Sequence, residues 1–463
     1  MSWVEVAYRH LPVWLQNAAV SAYGVMWQRR RFGPGFEAAL RAAKERESFS
    51  AEAWRRYQTE RLRQLMRVAL TSVPYYRDVY RGLGLTEDRI ERFTLEELTG
   101  LPLVGKQEIR PAPRRFVSEQ AGTLHTYLTS GSTGTPLAVY MSPRTRRHWQ
   151  ALYEARCVNW AGVHRRMSRA MIGGRLVVPR GVARPPFWRT NRVERQLYLS
   201  AFHIAPTTTA DYLAAIDAFA PAYLAGYASA WFILSRFAQE QGRAARPVKA
   251  ILTSSEKLEP FMRETIEGVF GGPVFDAYSG VEACCLASEC EYHRLHVSPD
   301  AGIVEILDDD GQPVAPGKAG EIVATGLVNL DQPLIRYRTG DVASWSAEAC
   351  PCGRAMPVLA ALEGRLEDVV IGPDGRETVR FHGLYVGLQG IMEGQVVQEA
   401  LDRIVILVVP GPNFRPREAE EIQRRVRARL GEVSVRVEPV ERIERTAAGK
   451  FKAVISHVRR NPP

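Results

Sequence analysis

Apolar positions between Ala51 and Ser72 recur at helical spacing: Trp54, Tyr57, Leu62, Leu65, Met66 and Ala69 share one broad face, and arginines occupy the other. That period predicts an amphipathic helix over Ala51–Ser72, stopped at Val73-Pro74 because proline has no N–H for the helical ladder. Short β-branched runs then alternate with helical patterns over residues 211–219, 231–241 and 260–270, which predicts an α/β fold of mixed sheets and helices. Between residues 302 and 328 the period drops to that of strands. Val304-Glu305-Ile306 and Glu321-Ile322-Val323 flank an Asp308-Asp309-Asp310-Gly311 turn, so a hairpin-rich section building a small barrel or sheet is expected. After Glu363 the pattern restarts as a strand (403–409), a charged helix (415–430) and a strand (433–440), a β-α-β unit. These divisions predict a large N-terminal domain over residues 1–364, helical in about its first 90 residues, and a small mobile α+β domain over 365–463, jointed at 364–368.

Residues 11–27 are apolar but are interrupted by Gln16, Asn17, Ser21 and Gly24, and the run is shorter than a bilayer-spanning helix. It lacks the cleavage pattern of a signal peptide, and a cytoplasmic protein is expected. Arg29, Arg30 and Arg31 follow, so a helix packed on the body is expected, with peripheral contact to an anionic membrane surface as the alternative. The chain has 463 residues, 46% apolar and 24% charged, as in ordinary globular proteins of two or three domains. Its formal charge is +10, and only seven of the 61 basic residues are lysine. The arginines are scattered and form no compact stripe, so nucleic acid is not an expected partner, although a cationic field favours anionic substrates. Nothing in the pattern decides between a monomer and a homodimer.

Thr129, Ser130, Gly131, Ser132, Thr133 and Gly134 form a hydroxyl- and glycine-rich loop between two strand-like segments. Such a loop suits a polyphosphate: hydroxyls donate to phosphate oxygens, and glycines let backbone N–H groups come close. A solvated turn is the alternative, and the Gly-Lys-Ser/Thr ending of a P-loop is absent. Further on stand Tyr278-Ser279-Gly280-Val281-Glu282, Arg336-Tyr337-Arg338-Thr339-Gly340-Asp341, Glu363-Gly364-Arg365-Leu366-Glu367-Asp368 and Arg445-Thr446-Ala447-Ala448-Gly449-Lys450.

In this order and at these separations the segments closely resemble the core motifs of the adenylate-forming acyl-ligase superfamily, within it the phenylacetate-coenzyme A ligase branch. Leu11-Pro12, Val73-Pro74-Tyr75-Tyr76-Arg77, and Leu101-Pro102 followed by Lys106 also resemble capsule-biosynthesis relatives of that branch. The resemblance implies an ATP- and Mg²⁺-dependent enzyme that converts a carboxylic acid to an acyl-adenylate and passes the acyl group to coenzyme A. Transfer to an amine, hydroxyl or carrier protein, or a degenerate nucleotide-binding relative, are the alternatives. It implies that Glu282 binds Mg²⁺, that Tyr278 packs on adenine, and that Ser255, Glu256 and Ser279 line the nucleotide site. It also implies that Asp341 accepts both ribose hydroxyls with help from Arg365, that Lys450 bridges the acyl carboxylate and the α-phosphate, and that Glu367 and Asp368 form the hinge. Ser279 and Val281 depart from the family's glycine and threonine at those places, and Val281 removes a hydroxyl donor. His203, Tyr227 and Trp231 are candidates for the acyl pocket, with core packing as the alternative.

Six cysteines include a group near Glu282 and a Cys350-Pro351-Cys352-Gly353 turn. Cys290, His296, Cys350 and Cys352 make a Cys₃His set suited to a structural, tetrahedral Zn²⁺. Buried thiols are the alternative, His293 and Cys285 are substitute ligands, and Cys157 reads as a core residue.

Overall fold

Five strands, Gln196–Ser200, Arg169–Gly173, Tyr223–Gly226, Ile251–Ser254 and Val274–Ser279, lie side by side in that order and run parallel. They form the centre of a twelve-stranded sheet in a computed structural model that describes residues 8–129, 137–179, 181–365, 370–373, 377–378, 384–385, 388, 390–411, 413–446 and 451–458. Helices Thr209–Phe219, Ala228–Glu240 and Pro260–Phe270 connect the strands, and Ile216, Trp231, Leu234 and Phe270 are fully buried beneath them. The helix expected over 231–241 starts three residues earlier, at Ala228, because its N-cap is Tyr227, which makes no side-chain cap and gives no sequence signal.

The hairpin-rich section is the antiparallel half of the same sheet. Gly302–Leu307 pairs with Ala319–Gly326, then come Tyr337–Trp345, Val358–Arg365, Leu295–Val297 and Leu286–Glu289. The last of these pairs antiparallel with Val274–Ser279, so the ladder is continuous and no separate barrel or sheet closes.

The helix expected over Ala51–Ser72 is present with those bounds, and Leu62, Leu65, Met66 and Ala69 are fully buried. Ser50 caps it by accepting from the Ala53 N–H. Pro74 ends this helix and also opens the next, Pro74–Gly82, at the N-terminal position where its missing N–H costs nothing. A buried ion cluster ties this helical segment to the sheet: Asp300 Oδ2 lies 2.9 Å from Arg46 Nε and 3.2 Å from an Arg156 nitrogen, and Arg156 also meets Glu47 at 2.7 Å. Among the described residues no helix is long and apolar enough to cross a membrane.

The small C-terminal domain has its own four-stranded sheet, ordered Ser434–Pro439, Arg403–Pro410, Ile391–Ala400, Val454–Ser456. The helix Pro416–Leu430 buries Ile422, Val426 and Leu430 against it. Strands 403–410 and 434–439 are parallel, giving the β-α-β unit; the remaining two strands were not expected.

Candidate active site

The candidate site lies where the parallel strands end, which is where open α/β sheets carry ligands. Ser255 and Glu256 follow strand Ile251–Ser254, and Ser279 closes strand Val274–Ser279. Ser255 has φ 72°, a left-handed backbone that is strained for serine and stored at a loop where the chain must turn sharply. The turn that carries Glu282 is set by a close approach: a Cβ at Gly302 would sit 2.0 Å from Cys284 O. Only glycine lets the two backbones meet.

Two tyrosine–carboxylate pairs organise the centre. The Tyr278 hydroxyl donates to Asp341 Oδ2 at 2.7 Å, and the Tyr337 hydroxyl donates to Glu282 Oε1 at 3.2 Å. Burial, and then the carboxylate beside it, pushes each tyrosine well above its ordinary pKa, so both hydroxyls stay protonated as donors. Each carboxylate is thereby held in orientation by a neutral donor. Lys106 Nζ donates to Thr339 O at 3.3 Å, which brings a cation beside the Asp341 turn. Ser279 is half-buried at the strand end, and Val281 is 37% exposed at the rim, so the missing hydroxyl leaves an apolar surface there.

The phosphate-loop hairpin is present as strands His125–Leu128 and Ala138–Met141. Thr129 closes its neck: its N–H donates to Leu137 O at 3.0 Å, and its Oγ1 accepts from Leu137 N at 2.9 Å. Ser130, Gly131, Ser132, Thr133, Gly134, Glu367, Asp368, Lys450 and the Arg365 side chain lie outside the described residues. The Arg365 backbone is the register partner of Asp341. Glu256 is bonded within the protein at both carboxylate oxygens. Its Oε2 accepts from Ser229 N at 3.0 Å and Ser229 Oγ at 2.6 Å, while its Oε1 accepts from Phe451 N at 2.9 Å. The residue after Lys450 is thereby tied to the large domain. Trp231 is a core residue whose Nε1 donates to Ala225 O, and His203 stacks on Phe187 while its Nδ1 lies 2.7 Å from Ser200 Oγ.

The four cysteine and histidine candidates meet. One ligand atom from each of Cys290, His296, Cys350 and Cys352 lies within 4.8 Å of the others. Their separation in sequence is closed by the sheet, since Leu295–Val297 pairs directly with Val358–Arg365. His296 is fully buried, its Nδ1 is 3.3 Å from Met356 O, and its Nε2 is 3.4 Å from Cys352 Sγ. Burial holds this imidazole below its usual pKa, hence neutral, and an Nδ1–H bonded to the carbonyl leaves Nε2 as the free lone pair. Three thiols and one neutral imidazole are a donor set that fits tetrahedral zinc. The substitutes are elsewhere: His293 Nδ1 sits 3.1 Å from an Arg263 nitrogen and 3.3 Å from Glu289, and Cys285 is not in the cluster. Cys157 is a buried thiol 2.9 Å from Ser288 Oγ.

Residues 373–457 match the family described as the CapK C-terminal domain. Protein CapK of Staphylococcus aureus is 23% identical over 98% of this chain and 99% of its own. The phenylacetate-coenzyme A ligase of Thermus thermophilus is 25% identical over 71% of this chain and 74% of its own. The chain is homologous to CapK and to the phenylacetate-coenzyme A ligases. A 2-hydroxyisobutyryl-CoA ligase in its postadenylation state superposes with a TM-score of 0.68 at 21% identity, over 89% of this chain and 91% of that one. The fold is that of the adenylate-forming ligases, with the large sheet and the small C-terminal domain already described.

Two residues of the Arg336–Asp341 segment besides Asp341 organise the centre, and neither stands out in the sequence. Tyr337 is the donor that orients Glu282. Arg336 is a buried anchor at φ 47°: it meets Glu305 through two nitrogens at 3.1 and 3.0 Å and donates to the Thr99 and Leu101 carbonyls at 2.6 Å. Their spacing to Glu282 and Glu305 carries no local signal.

Proposed function

We propose that the protein is an ATP-dependent, AMP-forming acid–thiol ligase that activates a carboxylic acid as its acyl-adenylate and transfers the acyl group to coenzyme A. The observation that carries this is the pair of tyrosine-held carboxylates, Asp341 and Glu282. Homology to the phenylacetate-coenzyme A ligases supports it. A place in capsule polysaccharide biosynthesis belongs to the same reading and rests on the likeness to CapK.

In this mechanism the 129–134 loop cradles the phosphates, Tyr278 orients Asp341 toward the ribose hydroxyls with Arg365 beside it, and Ser255 and Ser279 border the base. Mg²⁺, when bound, neutralises charge on the phosphates, and Glu282 would hold it. The substrate carboxylate forms a bond to the α-phosphorus while the bond to pyrophosphate breaks, with Lys450 against the developing charge. The coenzyme A thiolate then attacks the acyl carbonyl and AMP leaves. The small domain, residues 365–463, would turn about Glu367 and Asp368 between the two steps. The Glu256–Phe451 bond, which ties the residue after Lys450 to the large domain, supports the role given to Lys450. So does the likeness to the hydroxyisobutyryl-CoA ligase, which is 0.68 to its postadenylation state and 0.53 to its thioesterification state. We assign Cys290, His296, Cys350 and Cys352 to a structural Zn²⁺. Mass spectrometry of products from ATP and a panel of carboxylic acids tests the reading: AMP and an acyl-CoA should form together. AMP with no thioester in the presence of coenzyme A would point to another acceptor, and no AMP with any acid to a degenerate relative.

A further inference from the structure

The helix Val13–Phe32 is packed with its polar side inward. Asn17 Oδ1 accepts from Thr190 N at 2.9 Å, Ser21 Oγ accepts from Arg192 N at 3.1 Å, Gln28 Nε2 donates to Val193 O at 2.9 Å, and Gln16 Oε1 accepts from Arg189 Nε. These bonds cover strand Trp188–Asn191, the outermost strand of the twelve-stranded sheet, whose free edge would otherwise be open. Gly24 permits the approach, since a Cβ there would lie 2.6 Å from Asn191 Nδ2. The residues that interrupt the apolar run in the sequence are therefore the ones that seat the helix.

Edge covering explains the inner face and leaves the outer one unexplained. Trp14 is 68% exposed and Tyr23 48%, with Val13 and Val25 exposed beside them. Leu176 and Val193 stand on the loops this helix segment touches, and both are exposed. Six of the eleven large apolar side chains exposed among the described residues thus belong to this helix and the loops it meets.

Charge selects the occupant. The sequence has no Asp or Glu from Val6 to Phe36, nor from Arg175 to Val193. Arg9, Arg29, Arg184 and Arg192 are exposed on these stretches. Two of the acids that bound these stretches are occupied: Glu194 is buried against Asn191 and Tyr198, and Glu37 pairs with Arg165 and Arg166. A second copy would press arginine against arginine in a chain of net charge +10. An anionic lipid surface supplies both the opposite charge and an apolar phase for tryptophan and tyrosine at headgroup depth. We propose that this edge docks the protein on an anionic phospholipid bilayer, with helix Val13–Phe32 lying in the plane of the interface.

The test is flotation of the full chain with vesicles of phosphatidylcholine alone or mixed with phosphatidylserine. The protein should float with the mixed vesicles only and be released by high salt. Trp14→Glu combined with Val25→Glu should cut the bound fraction about tenfold or more. Leu83→Glu, an exposed apolar site elsewhere, should leave it unchanged. Equal melting temperatures would show that the outward substitutions leave the fold intact, and single Arg29→Glu, which removes no packing, should weaken flotation independently. Failure to float with the mixed vesicles, or flotation that the double substitution and Arg29→Glu leave intact, would overturn the proposal. Self-association lost in the double variant without any vesicle binding would overturn it in favour of a second copy.

Discussion

Cys350→Ser removes one of the four donors of the proposed zinc site, which would join two hairpins of the large sheet. Cys290 and Cys350 stand 60 residues apart in sequence, and their sulfurs are 3.6 Å apart in the fold. A metal that holds both closes a loop of that length, which removes about 4 kcal/mol of chain entropy from the unfolded state in the loop-closure treatment of cross-links. For a cooperative unit of about 360 residues, with an unfolding entropy of about 2 cal/mol/K per residue, that corresponds to a fall of about 5 °C in the midpoint. Elemental analysis should find about one zinc per wild-type chain and none in the variant, and thermal unfolding should show the fall. A chelator should produce the same fall in the wild type and none in the variant. Because the ion is lost after the first substitution, adding Cys352→Ser should cost little more, a clear departure from additivity. Turnover of the remaining folded enzyme should drop less than stability, since a closed site leaves no metal-bound water. Zinc absent from the wild type, or losses that simply add, would refute the shared site.

Other consequences concern the centre itself. Glu282→Gln should shift the Mg²⁺ dependence, whereas Asp341→Asn should raise the ATP requirement about tenfold through loss of charged hydrogen bonds; indistinguishable kinetics across Mg²⁺ concentrations would contradict this division. The Asp276 carboxyl is pushed up to about 7, first by burial and then by the neighbouring Glu289. With a folded pKa above the unfolded value of about 3.9, the folded state keeps a proton that the unfolded chain releases, so stability should fall as pH rises from about 4 to about 7 and then level off. Denaturant midpoints measured across this range should lose that slope in Asp276→Asn, and a slope that persists would assign it to other groups. Glu256→Ala should slow adenylation more than thioester formation, because the Phe451 tether is made in the present arrangement; equal effects on both half-reactions, measured in single turnovers, would remove that role.

The helix over Ala51–Ser72 was legible because one face carries its whole burial. The α/β order was legible because helices Thr209–Phe219, Ala228–Glu240 and Pro260–Phe270 alternate with short β-branched runs. What could not be read was which strands become neighbours. Leu286–Glu289 pairs with Val274–Ser279 across the turn that carries Glu282, and this single antiparallel step fuses the β-rich section to the parallel sheet. The same sheet order brings Cys290 and His296 to Cys350 and Cys352, so the Cys₃His set expected from the residue types does meet, through a strand pairing that the sequence does not show. Gln16, Asn17 and Ser21 looked like flaws in an apolar run because a sequence does not show which face meets an edge strand. Arg336 was invisible as an anchor for a similar reason: its partner Glu305 lies on another strand.

Acid-dependent pyrophosphate release from ATP, followed over aryl and fatty carboxylic acids for the intact chain and for Lys450→Ala, tests the central claim most directly. The account predicts release with at least one class of acid, loss of that release in the variant, and nearly unchanged ATP binding, because the lysine loop contacts the transition state more than the resting nucleotide. Release that survives Lys450→Ala at the wild-type rate, or no release with any acid from a chain that still binds ATP, would contradict it.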